Sequence, residues 1–91
     1  MTDAVREALE YLRRREGVHD VSHVELFDVY LDSEPGQFRR VRVEVHDYGP
    51  DAPPMRRYRA VAFDQDGHRR TASTAESVSV ALAILHLPEG D

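Results

Sequence analysis

Ser73-Thr74-Ala75-Glu76-Ser77-Val78-Ser79-Val80-Ala81-Leu82-Ala83-Ile84-Leu85-His86-Leu87 is the stretch whose reading decides the fold. Its opening, Ser73-x-x-Glu76, reads as a capping box, in which the serine hydroxyl and the glutamate each satisfy an orphan amide of a helix start. From Val78 onward nearly every side chain is apolar, and Pro88-Glu89-Gly90 supplies a stop signal. At about 100° per residue, Val78, Ala81, Leu82 and Leu85 form one stripe, and Val80, Ile84 and Leu87 form a second. A helix apolar over so wide an arc is expected to be covered on two sides.

Working back toward the amino terminus, Gln65-Asp66-Gly67 is a tight hairpin signal. His68 to Ala72 then returns as a short strand that leads into Ser73. The strand before the hairpin, Arg56 to Asp64, alternates Tyr58, Ala60 and Ala62 with Arg57, Arg59, Val61 and Phe63. Gly49-Pro50-Asp51-Ala52-Pro53-Pro54 is a stiff connection. Phe38 to Tyr48 is the clearest strand: Val41, Val43 and Val45 point one way, and Arg40, Arg42, Glu44 and His46 the other. Asp32-Ser33-Glu34-Pro35-Gly36 is a turn. Before it, Val21 to Leu31 carries Phe27, Val29 and Leu31 on one face and Val24, Leu26 and Tyr30 on the other. A strand that is apolar on both faces is expected to be central or covered twice.

Asp3 to Glu16 completes the chain as an amphipathic helix capped by Thr2 or Asp3, with Gly17 as its C-cap. Ala4, Val5, Ala8, Leu9, Tyr11 and Leu12 share one side. The order helix, four strands, helix specifies one α+β domain over residues 1–91. Its expected architecture is two layers: a four-stranded antiparallel meander with the N- and C-terminal helices on one face. The expected core is Val5, Leu9, Leu12, Val41, Val43, Val45, Val78, Ala81, Leu82 and Leu85. Gly90-Asp91 is expected to fray.

Composition narrows the classes of function. All 12 basic residues are arginine, there is no lysine, and net charge is −5. A genome favouring arginine codons explains the bias, as does selection for planar bidentate contacts to phosphate or carboxylate. The negative sum opposes nucleic acid and anionic membranes. The absence of cysteine excludes disulfides and thiolate metal sites and suits a reducing cytoplasm, where the protein is expected to reside. No apolar run approaches the roughly 20 residues that span a bilayer. No cofactor is expected.

Chemistry is thinly signalled. His19 and His23 are four apart across a loop-to-strand junction, so their spacing is not that of a helical metal pair, and no carboxylate completes a set. Asp64 and Asp66 are accounted for by the hairpin. No nucleophile elbow, phosphate loop or zinc-protease motif is present, and a small-molecule enzyme is the weakest reading. The arginines of the wet sheet face stand out more. Arg40, Arg42, Arg57, Arg59 and one of Arg69 or Arg70 form an expected patch, interleaved with Phe63, Tyr30 or Tyr48. Such a face suits RNA or DNA, or pairs internally with Glu25, Asp28, Glu44 and Asp47.

From Phe38 to Leu87, the strand–strand–strand–helix order resembles the double-stranded-RNA-binding domain. Gly49-Pro50 stands where that family has a Gly-Pro loop, and Ser73 where a serine opens its final helix. Thr74 and Ala75 replace the family's phosphate-binding lysine pair, Ala52 stands near its loop histidine, and an extra strand follows the first helix. The resemblance is one of topology.

The expectation is a non-enzymatic protein-interaction module that self-associates as a homodimer. A helix pair covers one sheet face, leaving Leu26, Tyr30, Val61 and Phe63 on the other with Arg40, Arg42, Arg57 and Arg59 at the rim.

Overall fold

The computed structural model of the chain describes residues 2–87, so the stop signal Pro88-Glu89-Gly90 and the terminal Gly90-Asp91 lie outside the described residues. Helix α1 covers Asp3–Arg14, followed by strands β1 (His23–Asp32) and β2 (Phe38–Asp47). A 3-10 turn at Pro54–Arg56 precedes β3 (Tyr58–Phe63) and β4 (Arg69–Ala75), and α2 spans Val78–Ile84. The sheet is a meander in the order β1-β2-β3-β4, antiparallel throughout. This is the expected α+β fold.

The register explains the core. Val45 lies opposite Glu25 and Ala60, and Val43 opposite Phe27 and Ala62, so these positions share one face with Thr71, Ser73 and Ala75 of β4. Helix α2 packs on that face over β3 and β4. Ala60, Ala62 and Ala81 are fully inaccessible, which reflects a close helix-to-sheet approach that larger side chains would prevent. Val41, Val43, Val45, Ala75 and Leu85 complete the cluster. Each buried valine contributes about 1.5–2 kcal/mol by leaving water.

Helix α1 begins as expected, with Thr2 Oγ1 accepting from the Val5 amide at 3.2 Å. It closes at Arg15 through a bond to the Leu12 carbonyl, two residues before Gly17. Its anchor is small. Leu9 is its one buried side chain, set against Gly49, and Arg13 donates to the Tyr48 carbonyl. Val5 is half-buried, whereas Leu12 is exposed. The expected burial of Leu12 is therefore overturned.

The C-terminal stretch departs from the sequence reading most clearly. Ser73 does not cap a helix, because β4 continues through Ala75, which pairs with Tyr58. The cap is Ser77, whose hydroxyl accepts from the Val80 amide at 3.2 Å. Ser73 instead donates to the Ala81 carbonyl at 2.6 Å, and Thr71 donates to the His86 carbonyl at 2.5 Å. Leu85 bonds back to Leu82, so Ser73 satisfies a carbonyl left over at the far end of α2. The shortened helix is covered on one side only: Ala81 and Leu85 are buried, while Val78, Val80, Leu82 and Ile84 are exposed. The expected second cover, and the burial of Val78 and Leu82, are thus corrected. Leu9 alone of α1 reaches full burial, leaving too little of that helix to close over the second stripe.

A candidate interaction surface along the first strand

Facing away from α2, the sheet carries Val24, Leu26, Asp28 and Tyr30 of β1, beside Arg40, Arg42, Glu44 and His46 of β2. Arg59, Val61 and Phe63 of β3 follow, then Ala72 and Thr74 of β4. The sequence-predicted residues divide on this face. Leu26 and Tyr30 are 58% and 65% exposed, but Val61 is 4% exposed, between Glu44 and Ala72 of its neighbouring strands. Phe63 is half-buried. Val61 therefore belongs to the monomer's own packing, and the exposed apolar surface is shifted onto β1.

The arginines also divide. Arg40 and Arg42 are exposed, and Arg42 reaches Asp28 across the β1–β2 pair at 3.4 Å. Arg57 leaves the patch: it ends the 3-10 turn, lies over the Tyr58 ring, and bonds Asp47 at 3.1 Å. That hydrogen bond, helped by the charge on Asp47, raises the guanidinium pKa above its ordinary value against the opposing effect of desolvation. Arg59 stays half-buried opposite His46 and Thr74.

Strand β1 is an edge strand, which corrects the expectation of a central or doubly covered position. Its outward-facing groups follow from the ladder. Ser33 donates to the Gln37 carbonyl in the register that continues through β1 and β2, which makes 33 and 37 a hydrogen-bonded pair. Alternation then turns the backbone groups of Phe27, Val29 and Leu31 toward β2, and those of Val24, Leu26, Asp28 and Tyr30 toward open space. Phe27, on the helix face, is also 47% exposed.

Two concave regions stand out, one beside β1 and one at the β3–β4 side of the sheet. A cavity of about 520 Å³ lies between α1, α2 and the sheet, lined by Val5, Phe27, Val45, Tyr58, Val78 and Leu82 together with the polar Glu25 and Asp47. Both helices therefore contribute to the same face. A basin of about 730 Å³ opens beneath the β2–β3 connection and brings Arg13, Arg56 and Arg59 near Tyr48, with Asp20 and Asp51 among them. Sequence reasoning missed that grouping, because its arginines come from three separate elements.

The polar clusters are accounted for internally. His46 lies 3.3 Å from Ser22 and 3.0 Å from Glu44, and its ring stacks on Tyr48. Asp64, Asp66 and His68 gather at the β3–β4 hairpin. Asp64 Oδ1 accepts from the amides of Asp66 and His68, and Oδ2 accepts from Arg70 at 2.6 Å. This carboxylate organises a turn and an ion pair. The His68 amide is foremost in holding the Asp64 carboxyl below the ordinary carboxylate range.

No protein-family model, no curated protein and no solved structure matches the chain. The expected likeness to double-stranded-RNA-binding domains is not supported by these comparisons, and Ser73, one of the points it rested on, lies in a strand instead of opening the helix. Among the described residues, no helix is long and apolar enough to cross a membrane.

Proposed function

We propose that the protein is a non-enzymatic interaction module that self-associates, with β1 and its outer face as the contact. The supporting observation is the concentration of exposed apolar side chains on both faces of an edge strand. Val24, Leu26 and Tyr30 are exposed on one face and Phe27 on the other. An isolated exposed leucine is ordinary, but a contiguous apolar strip along an unpaired strand edge marks a partner-binding or aggregation-prone surface. A second copy is the simplest partner, because two-fold dimers are the commonest assembly. Arg40 and Arg42 stand behind the strip on β2, where they would border the contact.

The test is a charge placed in the strip. Leu26→Asp is expected to weaken association at least tenfold while leaving the circular dichroism spectrum unchanged. Unchanged association would remove the outer face from the contact.

Nucleic acid is the second reading, favoured by the basin that gathers Arg13, Arg56 and Arg59 near an aromatic ring. It requires binding that falls steeply with salt and weakens in Arg59→Ala. A flat titration at low salt, with single-stranded and duplex oligonucleotides, would end it.

A further inference from the structure

We infer that two copies join edge to edge through β1, antiparallel, about a two-fold axis at Phe27, to form one continuous eight-stranded sheet. This rests on the self-association reading above and specifies its geometry. The two sheet edges are unlike. β4 presents Arg69 and Arg70 and meets β3 through an irregularity at Ala62/Phe63, features that discourage strand addition. β1 runs ten residues in unbroken register with β2 and contains no proline or bulge, and its acids Glu25, Asp28 and Asp32 meet no like charge in the register set by an axis at Phe27. Pairing of β1 with β4 would propagate into a filament, whereas β1 with its own copy closes after two.

The register follows from the side chains. A two-fold axis perpendicular to the sheet keeps each helix face continuous, so opposed residues must belong to the same face. Two axes give nearly full overlap. An axis at Asp28 sets two Asp28 carboxylates directly opposite each other, a destabilising like-charge pair. An axis at Phe27 opposes Val24 with Tyr30 and Leu26 with Asp28 on the outer face. On the helix face it opposes Phe27 with Phe27, Glu25 with Val29 and His23 with Leu31. No two acids face each other, and Asp28 keeps its own partner, Arg42.

This arrangement also uses the outward backbone groups. Val24, Leu26, Asp28 and Tyr30 would exchange about eight hydrogen bonds with the second copy. Four aromatic rings, each able to bury about 150–250 Å², would join Val24 and Leu26 at the junction. The buried total is on the order of 1,000 Å², the lower end of a specific interface. It makes β1 central, the position that its apolar residues on both faces imply.

Single cysteines test the register, since the chain has none of its own. Symmetric disulfides require Cα atoms within about 7 Å, so only a residue on the axis can cross-link to itself. Under mild oxidation, Phe27→Cys is expected to convert to a covalent dimer, whereas Leu26→Cys and Asp28→Cys stay uncoupled. Glu25→Cys mixed with Val29→Cys is expected to give the heterodisulfide. Sedimentation of the wild-type chain runs in parallel. A dimer with no cross-link at any of these positions overturns edge pairing but leaves self-association standing. Coupling at Leu26→Cys or Asp28→Cys in place of Phe27→Cys overturns the axis, and a wild-type monomer overturns both inferences.

Discussion

Gly49 holds a backbone φ of +93°, and a methyl group placed on it would meet Leu9 and Arg13 at 3.4 Å. Those are the two α1 residues that tie the helix to the sheet end. Left-handed backbone costs an L-residue about 1–2 kcal/mol, so Gly49→Ala is expected to lower the melting temperature by roughly 4–16 °C. An unchanged melting temperature would show that α1 is not anchored there. Ser77→Ala is expected to cost about 1 kcal/mol as the lost cap of α2, whereas Glu76→Ala should cost little. The reverse order in denaturant melts would restore the capping box at Ser73. At the hairpin, the fold prefers Asp64 ionised, so its stabilising bonds are present at neutral pH, above the ordinary value of about 3.9. They are lost as pH falls through the lowered folded value. The stability gap between wild type and Asp64→Asn should therefore narrow on acidification, and an NMR titration midpoint at or above the ordinary value would contradict this.

At the scale of elements, local patterns were readable and junctions were not. The Asp66-Gly67 turn, the valine alternation of β2 and the amphipathic α1 are short-range signals, and each element formed where its pattern lies. The β4–α2 junction was misread because Ser73 and Ser77 both begin plausible caps. The choice between them depends on whether Ala75 finds a partner on β3, a tertiary fact. Ala60 and Ala62 of β3, fully buried where α2 crosses the sheet, offer a probe. Ala62→Leu should overpack the α2 crossing and cost about 1–3 kcal/mol, while a neutral effect in chemical melts would mean that α2 stands off the sheet. Burial of Val61 was not legible, since strand alternation gives the face of a residue but not what its neighbours cover. The basin arginines were hidden for the same reason, being distant in sequence.

As a whole the molecule is elongated, 50 × 22 × 22 Å, because the β1–β2 hairpin runs past the end of β3. Only the Arg42–Asp47 half of β2 has a partner on its far side. The long edge of the particle is thus β1, the strand whose sequence fits a sheet interior. A monomer leaves that conflict unresolved, and association through β1 removes it. Sedimentation velocity of the wild-type chain at about 50 µM tests this most directly, well above a dissociation constant of about 1 µM, or −8.2 kcal/mol. A single species of twice the chain mass that dissociates on dilution is the predicted result. A single species of one chain mass at that concentration would contradict the account.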